Sequence, residues 1–211
     1  SNSAVCTSTR VGLITGRYQY RLEVGLHEPL AGAEPIGLAP SHPTLPSMLR
    51  KAGYRTALVG KWHMGEGEKF GPLLSGYDRF YGFMRGAADY FRHQPESLVE
   101  GDQPSKDIGY LTDLLGQRAE REIAAAAKDR APLFLSLHFN APHWPWEGPE
   151  DKAVAESLKA VMHYDGGNLA TYRKMLLSMD AAIGGVLKAI DRAGADLVHA
   201  AVLEAVHALR N

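Results

Sequence analysis

Three short stretches of the chain bring together residues able to do polar chemistry. They are Cys6-Thr7-Ser8-Thr9-Arg10, Lys61-Trp62-His63 and Ala141-Pro142-His143-Trp144-Pro145. A cysteine thiolate is a strong nucleophile. If a helix begins at Cys6, its free backbone N–H groups and its dipole favour negative charge there. Arg10 is four residues on, hence on the same helical face. That pairing suits an anion such as sulfate or phosphate held beside a nucleophile. Taken alone, Cys-x-x-x-Arg is more often a buried cysteine next to a surface arginine. Lys61, His63 and His143 add a cation and two imidazoles, groups that bind oxyanions and move protons near neutral pH. Each has a plainer use as a solvated lysine or a packed histidine bonded to backbone.

The elements that must position these residues can be read from periodicity. Residues 6–16 predict a helix with Thr7, Ser8 and Thr9 as N-cap hydroxyls, Val11, Leu13 and Ile14 as its apolar side and Gly16 as its stop. Residues 17–42 are broken by glycine and proline. A short helix opens within His42-Pro43-Thr44-Leu45-Pro46 and runs to Lys51. Residues 54–60 predict a strand that delivers Lys61-Trp62-His63. Residues 65–103 are rich in glycine and aromatics and read as a long excursion over a site. A helix is predicted from Asp107 to Lys128, with Ile108, Leu111, Leu115, Ala119 and Ile123 on one face. Residues 133–139 predict a buried strand, delivering Asn140-Ala141-Pro142-His143. A long helix follows over 169–193, with Tyr172, Leu176, Met179, Ile183, Val186, Leu187 and Ile190 as its inner stripe. Residues 196–210 are alanine-rich and again helical in pattern. Strands alternating with long helices imply an α/β fold, a mainly parallel sheet flanked by helices. Chemistry in such sheets collects at the carboxyl ends of strands, where two of the three motifs fall.

Composition narrows the function classes. The 211 residues are 45% hydrophobic and 22% charged, with a net charge of −1. No basic field exists to gather nucleic acid or anionic lipid. No apolar run approaches the roughly 18–20 residues that cross a bilayer. A single cysteine makes neither an internal disulfide nor a cysteine-based zinc site. Among the other polar residues, His138 reads as a satisfied core histidine and His42 as a cap or packing residue. Arg17 and Arg21 fit either an extended anion site or structural ion pairs. Trp62, Trp144 and Trp146 fit either a substrate pocket or packing. Asp165-Gly166-Gly167-Asn168 reads as a turn and N-cap rather than a metal site.

Extended to Cys6-Thr7-Ser8-Thr9-Arg10-Val11-Gly12-Leu13-Ile14-Thr15-Gly16-Arg17, the first motif resembles the signature of type I sulfatases. Gly60-Lys61-Trp62-His63-Met64-Gly65 and Ala141-Pro142-His143-Trp144-Pro145 resemble two further strings of that family, in the expected order. So do His42-Pro43-Thr44-Leu45-Pro46, Gly53-Tyr54-Arg55-Thr56 and Met179-Asp180-Ala181-Ala182-Ile183-Gly184. The resemblance implies an alkaline-phosphatase-like fold and hydrolysis of sulfate esters of small molecules or glycans. It implies that Cys6 is oxidised to formylglycine by a separate formylglycine-generating enzyme. It also implies that Arg10 holds the resulting hydrate, that Lys61, His63 and His143 bind sulfate, and that His143 assists the leaving oxygen. A phosphonate or phosphate monoester hydrolase of the same superfamily, and a non-catalytic fragment, are the alternatives.

Two departures qualify these expectations. Position 8 is Ser where the maturation motif usually has Pro or Ala. The family holds one cation, usually Ca2+, on two aspartates from a first strand and an Asp-Asn pair from a strand after the Met-Asp-x-x-Ile-Gly helix. Neither pair is found here, so no metal ligand is assigned. The reading is therefore of one incomplete catalytic domain over 1–211, truncated at both ends, with an atypical helical tail at 195–211. Impaired turnover and self-association through exposed sheet edges or the tail are the corresponding expectations. Relatives are often exported, but no signal peptide is visible.

Overall fold

The computed structural model describes residues 3–27, 30, 35–93, 97–159, 167–194 and 198–203. Its centre is a six-stranded mixed sheet in the order β4-β3-β2-β1-β5-β6. The strands are β1 (Arg55–Lys61), β2 (Arg79–Phe83), β3 (Val99–Glu100), β4 (Gln103–Pro104), β5 (Leu133–His138) and β6 (Val198–Leu203). β1 pairs in parallel with β2 and β5, and β5 in parallel with β6; β3 and β4 add antiparallel ribbons at one edge. The helices are α1 (Cys6–Thr15), α2 (Leu45–Lys51), α3 (Leu111–Asp129), α4 (Lys152–Ser157) and α5 (Leu169–Ala193).

Alternation along β1 and β5 sorts the core into two layers, even though these strands are buried throughout. Ala57, Val59, Leu133, Leu135 and Leu137 pack with α3 and α5. Leu58 and Phe134 point the other way, onto Val11 and Ile14 of α1 together with Trp62 and Tyr77. α3 lays Leu111, Leu115, Ala119 and Ile123 against the sheet as the periodicity predicts. Its start is later than predicted, and Ile108 is 84% exposed. α5 matches its predicted bounds, but Met175 is buried on its inner face while Leu187 is exposed. α1 is preceded by Val5 and has no side-chain cap; Thr7 and Ser8 are buried inside the helix. Gly16 closes it in the left-handed conformation. α2 is capped by Thr44 in a capping box with Ser47, so the cap is not His42.

Two corrections concern strands. β2 and β3 lie within the predicted 65–103 excursion, and β4 starts on its last residue. They are short and interrupted by glycine, which leaves little alternation to read. The tail also differs from its predicted helix, because Val198–Leu203 forms β6 against β5. The open edge of a buried parallel strand supplies hydrogen-bond partners that outweigh a modest helical propensity. The tail thus covers the edge of β5 as a strand, and residues 195–197 and 204–211 lie outside the described residues. No helix among the described residues is long and apolar enough to cross a membrane.

Candidate active site

The carboxyl ends of β1 and β5 meet the first turn of α1. Gly60 makes that meeting possible. It pairs with both Gly82 and His138, and a Cβ on it would lie 1.8 Å from the His138 carbonyl oxygen. With φ at +111° it turns the end of β1 so that Lys61, Trp62 and His63 follow. His63 itself has φ +57°, a strained conformation for a side chain of its size, held by its N–H donating to the Met84 carbonyl at 2.9 Å.

Cys6, the first residue of α1, is half-buried. Its Sγ lies 3.1 Å from Nδ1 of His63. The other ring nitrogen of His63, Nε2, is 3.1 Å from the Leu30 carbonyl oxygen. A carbonyl only accepts, so Nε2 carries the hydrogen and Nδ1 turns a lone pair toward position 6. Leu30 is itself held, its N–H donating to Thr7 Oγ1 at 3.2 Å. The α1 residue next to Cys6 thereby helps fix the histidine that faces it.

Arg10 and Lys61 are buried cations in the same place. Arg10 Nη1 donates to the Lys61 carbonyl at 2.9 Å and lies 2.8 Å from His138 Nδ1. Burial lowers Arg10 to about 10, with Cys6 and Tyr77 opposing. Burial, then Arg10, lowers Lys61 to about 8, while Cys6 opposes through its charge and a hydrogen bond. Among the described residues, no carboxylate is among the groups that ease these two charges. Two desolvated cations without a carboxylate partner among the described residues suit the binding of an anion.

The histidines follow the same physics. Burial and the nearby Lys61, Arg10 and His143 lower His63 to about 3. His138 also falls to about 3, by burial and then Arg10. Both are neutral at neutral pH. His143 follows β5, its Nδ1 donating to the Trp144 carbonyl at 2.7 Å and its backbone N–H to Asn140 at 2.8 Å. Its carbonyl accepts from Tyr90.

All five sequence-predicted site residues, Cys6, Arg10, Lys61, His63 and His143, thus gather at one end of the sheet. His138 is the correction. It contacts Arg10 at this end and is not a satisfied core residue, because its Nε2 is buried without a partner among the described residues. Trp62 is fully buried and donates to Gly65, so it packs rather than lining a pocket. Arg17 is exposed beside His42. Asn168 caps α5 as predicted, while Asp165 and Gly166 lie outside the described residues. No group of three or more His, Cys, Asp or Glu among the described residues could hold a metal ion. These residues do not fit a calcium site by themselves.

Two expected outcomes arise directly. A Cβ on Gly86 would lie 2.8 Å from His63 Cε1 and 3.1 Å from Nε2. Gly86→Ala should displace the ring from Cys6 and cost about 1–3 kcal/mol of stability; chemical denaturation measures the loss. The second concerns pH. His63 and His138 fall from 6.5 to about 3 on folding, so unfolding takes up as many as two protons across that window. Their contribution is fully present above pH 6.5 and is lost as pH falls toward 3. Lys61 adds stability as pH rises from about 8 to 10.5. Denaturation midpoints across pH test both windows, and His138→Leu should remove about one proton from the acid slope.

Comparison with known proteins agrees with this geometry. The sulfatase family model matches residues 1–197. Arylsulfatase J of Mus musculus is 32% identical over 203 residues, covering 90% of this chain and 33% of that protein. N-acetylgalactosamine-6-sulfatase of Rattus norvegicus is 35% identical over 172 residues, covering 69% of the chain and 32% of the relative. The solved structure of Ps i-CgsB superposes with a TM-score of 0.81 at 25% identity, covering 96% of this chain and 48% of that one. The chain spans about a third of these curated relatives and about half of that structure. The matched region takes in the helix start, both strand ends and the sheet between them, with the alkaline-phosphatase-like fold expected from the motifs, and on that basis the chain belongs to the type I sulfatase family.

Proposed function

We propose that this chain hydrolyses sulfate esters, with the residue at position 6 as nucleophile. The observation that carries the reading is the 3.1 Å contact between His63 Nδ1 and Cys6 Sγ, beside two buried cations with no carboxylate partner among the described residues. Conversion of Cys6 to formylglycine would supply a hydrated aldehyde whose hydroxyl can attack sulfur. The surroundings suit an oxygen at that position, since His63 accepts and Lys61 donates. Arg10 and Lys61 neutralise the sulfate oxygens as the S–O bond to the alcohol breaks. With Nδ1 of His143 committed to the Trp144 carbonyl, a proton passed to the leaving oxygen comes from Nε2. No step here is routed through a metal, and turnover is expected to be low because the described residues bring no calcium site.

The substrate class we favour is a sulfated glycan. Ps i-CgsB has been solved with k-i-k-neocarrahexaose, and one relative is an N-acetylgalactosamine-6-sulfatase. The test is peptide mass spectrometry of residues 1–17 with an aryl sulfate assay, with and without calcium and beside an aryl phosphate control. Formylglycine at position 6 with sulfate-selective turnover supports the reading. Unmodified cysteine with no turnover, or preference for the phosphate, overturns it for this chain.

A further inference from the structure

We infer that His138 is a positioning residue that aims the Arg10 guanidinium into the anion site without cancelling its charge. The inference rests on the sulfate-ester reading above. A guanidinium carries only hydrogen-bond donors, so His138 Nδ1, 2.8 Å from Arg10 Nη1, must accept. The Lys61 carbonyl is the second acceptor on the same nitrogen, at 2.9 Å. His138 Nδ1 and that carbonyl are 3.0 Å apart, two neutral acceptors around one donor group. A neutral acceptor orients the arginine and leaves its charge for a bound anion. A carboxylate at position 138 would occupy that charge permanently.

The other ring nitrogen supports this assignment. With Nδ1 accepting, the hydrogen must sit on Nε2, and Nε2 is buried with no partner among the described residues. An unpaired buried donor is unfavourable. The same face of β5 carries Phe134, packed in the α1-side core, so an apolar residue would be tolerated there. The histidine retains a destabilising N–H in order to present a lone pair to Arg10.

The test compares the wild-type chain with His138→Asn, His138→Leu and His138→Asp. The readout is binding of inorganic sulfate by thermal shift, together with the unfolding temperature free of anion. This needs no conversion of Cys6. Asparagine keeps an acceptor near the Nδ1 position, so its sulfate affinity should stay within a few-fold of wild type. Leucine removes the acceptor and should weaken sulfate by about ten- to hundredfold, the range for a hydrogen bond to a charged group, without lowering the anion-free unfolding temperature. Aspartate should weaken sulfate at least as much. Sulfate affinity unchanged in the leucine variant overturns the inference alone, as does a loss in all three variants that tracks lost stability. A wild-type chain that binds no sulfate overturns the anion-site reading and this inference with it.

Discussion

Replacing Cys6 by alanine should abolish ester cleavage while leaving sulfate binding almost intact. The two effects separate because the anion is held by other residues. Arg10 keeps its position through the Lys61 carbonyl and the His138 ring, neither of which involves the thiol, and Lys61 gives up its hydrogen bond to Cys6 but stays placed by the end of β1. Losing the nucleophile should lower aryl sulfate turnover by roughly 10³-fold or more. Sulfate should still raise the unfolding temperature, since a ligand at about 100 times its Kd adds about 2.7 kcal/mol. Turnover that survives in Cys6→Ala would remove position 6 from the chemistry.

Arg10→Met should produce the opposite pattern, with sulfate binding lost and stability kept. The substitution removes a cation that burial already disfavours and that adds to burial in lowering Lys61 to about 8. It also frees His138 to change tautomer. Nδ1 can then take the hydrogen and donate to the Lys61 carbonyl 3.0 Å away, so neither group is stranded. Sulfate affinity should fall by about a hundredfold, through loss of charge-assisted hydrogen bonds. The anion-free unfolding temperature should not fall, and the alkaline stability window of Lys61 should narrow as its pKa rises. An unfolding temperature lowered by several degrees would show that Arg10 is mainly structural.

Much of this arrangement is legible in the residues, for identifiable reasons. β1, β5, α3 and α5 are long or strongly apolar, so their period survives local noise. Lys61, His63 and His143 follow predicted strand ends, which places them at the carboxyl edge of the sheet, and the family resemblance of the motifs joins Cys6 and Arg10 to them. β2 to β4 are too short and glycine-broken to show a period, and β6 is a helical pattern overridden by an open strand edge. The Leu30 carbonyl and the Cα of Gly86 fix the His63 ring through backbone atoms, which carry no signature in a side-chain pattern. His138 did leave a trace, as a polar residue following Ser136 by two on the α1 face of an otherwise apolar strand.

The contact between Arg10 and His138 joins residues 128 positions apart. Contacts of that separation raise contact order and are reached only after long loop closures. Expressed in time rather than distance, the anion site should form among the last steps of folding. Interactions absent from the folding transition state act on the rate of unfolding. Bound sulfate should therefore prolong the lifetime of the native state and leave the rate at which it forms nearly unchanged.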